Sequence, residues 1–289
     1  SRYFLQSEFQ TAGSSVKIMK IGEEGVPDIP QYLADALPEN AALGFDGRTL
    51  GAQRALKTGR MLAAKHVELV PELDLVGEIW ADRPALPKGR VWVLGEEYAG
   101  KSAAEKLADV RRVMQEKDVD AHVLTSLDDI AWLLNIRGDD IPCCPVALAY
   151  LVVEREEAFL FIDGEKLDGA AREHLDSLNV RVRPYDSVYE FAARYGEGCS
   201  VLIRSERVNF ALYDVLARDA ILVDAENPTL LAKAVKNETE LENLRRAHVK
   251  DGLALTRFIR WVKENVGKIE MSEISAAEKL DEARRGLPG

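Results

Sequence analysis

The sequence predicts an α/β fold, with two mixed-sheet units in tandem followed by an all-helical segment. Three observations carry the prediction. Short apolar runs alternate with amphipathic stretches over residues 1–95. The same alternation returns over residues 96–231, and from residue 232 it gives way to apolar residues recurring at three- and four-residue steps. Strand–helix–strand order favours a parallel or mixed sheet with helices packed on its faces.

In the first unit, residues 16–19 read as a strand and 28–37 as a helix that tolerates Pro30 in its first turn. Residues 41–45 are expected as strand, 49–64 as helix and 66–70 as strand. Residues 73–80 follow. Pro84 and Pro87 mark a linker, and 91–94 form a short strand.

The second unit opens with Ser102 and Glu105, spaced as a capping box ahead of the stripe Leu107, Val110 and Met114. Residues 121–124 are an apolar strand, and Ser126 is expected to cap a helix carrying Ile130, Trp132, Leu133 and Leu134. Two strands, 146–153 and 158–162, are separated by the short turn 154–157, a hairpin spacing. Helices at 166–178, 188–195 and 209–217 then alternate with strands at 180–182, 201–203 and 221–223.

In the third segment Asn237 and Glu240 form a second capping box. Leu241, Leu244, His248, Leu255, Phe258, Ile259 and Val262 then recur along one helical face. Ser272 and Ser275 start another amphipathic helix that ends at Gly286.

Composition narrows the function classes. The chain has 289 residues, 47% of them hydrophobic, and a net charge of −11. Its length suits two domains, or two and part of a third. The acidity argues against nucleic acid or an anionic membrane as partner. No apolar run reaches the length that spans a bilayer. Cys143, Cys144 and Cys199 stand at neither disulfide nor zinc-finger spacing, and they read as reduced, partly buried thiols.

Chemistry-bearing residues are few. His66, His122, His174 and His248 are scattered singly. His248 lies in phase with its helix's apolar face, where a packed and hydrogen-bonded role is expected. His66 and His122 stand at strand starts and read as structural. Asp128 and Asp129 occupy a helix's first turn, where carboxylates favour the helix dipole. Asp168 reads as a helix start. Arg137 either lines an inter-domain or substrate channel or pairs with a nearby Asp. The tryptophans Trp80, Trp92, Trp132 and Trp261 are expected in the core or at domain interfaces.

Several segments resemble one family. AKAVKN at 232–237, RRAHVKD at 245–251, EISAA at 273–277, LDDIAWLLNIRG at 127–138, RYFLQ at 2–6 and FIDG at 161–164 are similar to segments of the three-domain Xaa-Pro aminopeptidases. Those belong to the creatinase/prolidase "pita-bread" metallopeptidase superfamily. The resemblance implies a first creatinase N-terminal-like α/β domain at 1–95 that lacks its opening strands. It implies a second such domain at 96–231, and the start of a truncated pita-bread domain at 232–289. It also implies a full-length enzyme that removes the residue ahead of a proline from short peptides. That enzyme would use two Mn(II) or other divalent ions on two Asp, one His and two Glu, as a cytoplasmic homodimer. The family's D-x-T-R and HGxGHxxG ligand motifs do not occur in the chain. No catalytic, cofactor-binding or metal residue is therefore assigned, and the chain alone is expected to be inactive, shaping substrate access and dimerisation. A metal-free peptide- or protein-binding homologue of the same fold is the alternative.

Overall fold

The computed structural model describes residues 2–287. Helices α1 (Arg2–Gln10) and α2 (Ile29–Ala36) precede a small parallel sheet of β1 (Ala42–Gly44) and β2 (Glu68–Val70), joined by α3 (Ala52–Leu62). Asp28 caps α2 through Gln31 N, and Pro30 sits in the first turn. Residues 16–19 form no strand. Val16 and Met19 are 59% and 45% exposed, and among the described residues no neighbouring strand runs alongside to supply the ladder that an extended segment needs.

After α4 (Leu75–Ile79), β3 (Val91–Val93) pairs antiparallel with β5 (Ile136–Gly138) rather than with β1 or β2. Helices α5 (Glu96–Ala99) and α6 (Ala103–Glu116) follow, the latter closed by the predicted Ser102–Glu105 capping box. Then come β4 (Ala121–Leu124), α7 (Leu127–Leu133) and β5. Next are β6 (Tyr150–Glu154), β7 (Ala158–Phe161), α8 (Gly169–Ser177), β8 (Val180–Arg183) and α9 (Val188–Ala192). The unit closes with β9 (Ser200–Ile203), α10 (Phe210–Ala217) and β10 (Ile221–Asp224).

Six of these strands make one mixed sheet in the order β10-β9-β4-β6-β7-β8. The β4–β6 and β6–β7 pairs are antiparallel, and the other three are parallel. The β6–β7 hairpin matches its predicted spacing. Its first strand begins at Tyr150, four residues later than expected, because the preceding loop is drawn toward Asp140 instead: Leu148 N donates to Asp140 Oδ2 at 2.6 Å.

Alternation along the central strands explains their near-continuous apolar sequence, since both faces are covered. Leu151 and Val153 point into a core with Leu107, Val110 and Met114 of α6, and with Ile130 and Leu133 of α7. Val152, Val123, Phe159 and Phe161 point into the opposite core with Val188 and Leu212. Ala52 and Ala55 of α3, 0% and 1% exposed, complete that second core, so the first unit packs on the large sheet. Backbone bonds seal the contact: Ala52 N to Val208 O, Phe210 N to Leu50 O and Ala211 N to Gly47 O, at 2.9, 2.8 and 3.0 Å. Gly47 fits because a Cβ there would lie 3.1 Å from both Ala211 N and Pro71 O.

The chain then enters α11 (Pro228–Ala234), the long α12 (Glu238–Asn265) and α13 (Glu273–Arg285). Both predicted caps are present, at Asn237–Glu240 and Ser272–Ser275. The apolar face of α12 is largely uncovered in the described chain. Leu244, Leu255 and Ile259 are 42%, 40% and 45% exposed. His248, expected to be packed, is exposed as well.

Candidate functional site

The polar chemistry concentrates where α12 meets the α/β body. Three contacts fix this seam. Lys233 of α11 is ion-paired with both Asp128 and Asp129 of α7, at 2.8 Å from Asp129 Oδ1. Asn237 accepts from Glu240 N at 2.9 Å and donates through Nδ2 to Ala99 O at 2.8 Å, so one side chain caps α12 and ties it to α5. Asn243 Nδ2 donates to Glu97 O at 3.0 Å. Gly100 makes the approach possible: its φ is +65°, and a Cβ there would stand 2.2 Å from Asn237 Oδ1.

Between these contacts lies a cleft of about 620 Å³, walled by α5, α6, α7 and β5 on one side and α12 on the other. Arg137 lines it. Its Nη1 donates to Ala131 O and Ile136 O at 2.9 and 2.8 Å, and among the described residues it is ion-paired with no carboxylate. Of the two roles expected for Arg137, the structure favours the channel lining over the salt bridge. Burial pulls its pKa down, and the charge of Glu240 across the cleft opposes that shift.

Lys106 is the residue that sequence reasoning missed. Only 2% exposed, it donates to Asn135 Oδ1 at 2.7 Å and Trp132 O at 3.0 Å. Its ammonium stands 4.3 Å from the centroid of the Trp132 ring. Burial lowers its pKa to about 8. Its signal was in the sequence: Lys106 falls in phase with the buried stripe Ala103, Val110 and Met114.

The other candidates fall into place separately. Asp128 and Asp129 act across the seam, not merely on their own helix. Ser126 stands at the N-cap of α7, but its side chain makes no capping bond and its Oγ is buried without a partner. His122 is fully buried, its Nδ1 3.0 Å from Leu202 O, and burial pushes its pKa down to about 4. His174 Nε2 lies 2.8 Å from Leu134 O and links α8 to the end of α7. His66 is exposed and ends a short 3₁₀ turn in the left-handed region, two residues before β2. Asp168 caps α8 through Ala171 N at 2.9 Å, the helix start expected of it.

Cys143 and Cys144 are exposed rather than partly buried, on a loop where Cys143 adopts φ +61°, and Cys199 is half-buried. Trp80 is 45% exposed, against expectation, because it lies just beyond the short α4, while Trp132 packs against the first core. Among the described residues no three His, Cys, Asp or Glu side chains converge as metal ligands would.

An α/β body with a covered mixed sheet, pinned to a long capped helix, defines a class. The creatinase/prolidase N-terminal domain model matches residues 82–240, and the chain belongs to that family. Among curated relatives it is 34% identical to Xaa-Pro aminopeptidase 1 of Dictyostelium discoideum, over 98% of this chain and 47% of that protein. It is 32% identical to Aminopeptidase P2 of Arabidopsis thaliana, over 98% of this chain and 44% of that protein. The fold superposes on the crystal structure of X-prolyl aminopeptidase from Caenorhabditis elegans with a TM-score of 0.91 and 33% identity. That match covers 99% of this chain and 48% of the other, which is described as a cytosolic enzyme with a di-nuclear active site. The chain thus spans about half the length of the curated relatives it matches.

Proposed function

We propose that this chain is the non-catalytic portion of an Xaa-Pro aminopeptidase, which in full hydrolyses the N-terminal Xaa-Pro bond of short peptides at a dinuclear metal centre. The observation that carries this reading is the end-to-end similarity to X-prolyl aminopeptidase, at TM-score 0.91 over 99% of the chain. The domain limits in this reading are 1–95, 96–231 and 232 onward. The two metal ions, manganese or another divalent metal, are assigned to residues outside those described. The seam supports a positioning role: α12, α5 and α7 are locked by Lys233, Asn237 and Asn243, so the α/β body holds a fixed place beside whatever α12 leads into.

In this account the α/β units narrow the entrance to the active site and help form a homodimer in the cytoplasm. The test uses the full-length gene product on an Arg-Pro-Pro tripeptide and on a long polypeptide beginning with the same three residues. Faster release of arginine from the tripeptide is expected, together with a dimer by sedimentation. Equal rates on both substrates contradict the access role, and a monomer contradicts the assembly.

A further inference from the structure

The cleft beside α12 carries a charge that is at odds with the rest of the molecule. The chain has 49 acidic and 38 basic residues. The cleft is lined by five basic side chains, Lys106, Arg137, Lys236, Arg246 and Lys250, and by one acid, Glu240. Among the described residues none of the five is ion-paired with a carboxylate. Their protein partners are neutral: carbonyl oxygens for Lys106, Arg137 and Lys236, and the amide oxygens of Asn135 and Asn243 for Lys106 and Arg246. Glu240 is already engaged in its capping box, accepting from Asn237 N at 3.0 Å.

Burying cations with a single carboxylate, Glu240, to offset them is costly, and in Lys106 and Arg137 alike desolvation outweighs the pull of Glu240 and lowers the pKa. An anion in the cleft relieves it. Among the described residues Arg137 is held by Nη1 alone, and its Nε and Nη2 meet no protein acceptor there. A guanidinium so placed offers paired donors to a planar or tetrahedral oxyanion. The volume, about 620 Å³, suits a small solute rather than a macromolecule. Trp132 and Tyr98 add flat walls.

The geometry points to an oxyanion-binding site in this cleft, which takes the carboxylate or phosphate group of a small solute between Arg137 on β5 and the basic face of α12. Nothing in the peptidase reading requires it, and its test is a binding measurement independent of peptide hydrolysis. The full-length protein is melted with increasing inorganic phosphate, and separately succinate, with ionic strength held constant by NaCl. The wild type is expected to show a saturable rise in Tm with at least one of the two probes. Arg137→Gln and Lys250→Gln should each weaken the apparent affinity about tenfold, the effect of losing one charge-assisted bond. Arg245→Gln, on the same helix but outside the cleft, should respond as the wild type. Lys250 is solvent-exposed, so Lys250→Gln decides the matter should Arg137→Gln fail to fold. A wild type that responds to neither probe beyond the NaCl control overturns the site, as does an identical response in Lys250→Gln.

Discussion

Lys166 Nζ lies 2.6 Å from Asp140 Oδ2, and the two side chains are only 3% and 0% exposed. Asp140 also accepts from Gly89 N at 2.9 Å and from Leu148 N at 2.6 Å. One buried carboxylate therefore gathers the linker before β3, the loop before β6 and the turn before α8. The pair lies far apart in sequence, and its members look like ordinary surface residues there.

Removing either partner strands the other charge. Lys166→Met and Asp140→Leu should each destabilise the fold by about 3–5 kcal/mol. The double variant should lose less than the sum of the two single losses, because no uncompensated charge is left, although Gly89 N and Leu148 N still lack their acceptor. Urea denaturation of the four proteins completes the cycle, and additive losses would show that the two residues are not coupled.

His122 gives the fold a pH dependence of defined sign. Its folded pKa is about 4 because burial disfavours the imidazolium, against 6.5 in the unfolded chain. The unfolded state thus binds more protons, and stability falls as pH drops through the interval from 6.5 to 4. Between pH 7.5 and pH 5 this group should remove about 2 kcal/mol. His122→Gln should flatten the stability–pH curve over that interval when unfolding is followed in urea, and an unchanged slope would assign the dependence to other groups.

Lys233 is the main ionic tie between α11 and α7. Lys233→Met leaves Asp129, whose side chain is 4% exposed, without its counter-ion, and should cost about 3 kcal/mol. The loss should concentrate at the seam. Hydrogen exchange is expected to quicken in α11 and the first turns of α12 while the β4–β6–β7 core keeps its protection.

Gly100 tests the close approach directly. Gly100→Ala places a Cβ 2.2 Å from Asn237 Oδ1 at a φ of +65°, so both sterics and backbone oppose it. A loss larger than the roughly 1 kcal/mol of an ordinary cap deletion is expected, and Asn237→Ala, which removes the α12 cap and its bond to Ala99 O, supplies the reference from the other side of the contact. Equal losses in the two variants would mean that α5 and α12 separate freely.

Much of the fold was legible because local pattern and tertiary role agree. The apolar runs at β4, β6 and β7 are buried on both faces, and the capping boxes at Ser102, Asn237 and Ser272 mark real helix starts. Residues 16–19 have strand composition but no partner strand, which sequence pattern does not reveal. The Ser126 reading failed for a related reason: its residue type suits a cap, yet its hydroxyl makes no bond to the helix. Arg137 was recognisable as a candidate from LLNIRG, but its lack of a carboxylate partner depends on β5 and α12 meeting in space. Lys106 was hidden by its type, since a lysine in an apolar stripe is read as an interruption until Trp132 and Asn135 are seen around it.

The most direct measurement of the central claim is metal-dependent cleavage by the full-length gene product. Purified, stripped with chelator and given an Arg-Pro-Pro peptide, it should release free arginine only after manganese or another divalent ion is restored, and it should leave an Arg-Ala-Ala control intact. A full-length protein that binds the peptide but releases no arginine with any divalent metal would contradict the peptidase account and leave a peptide-binding homologue of the same fold.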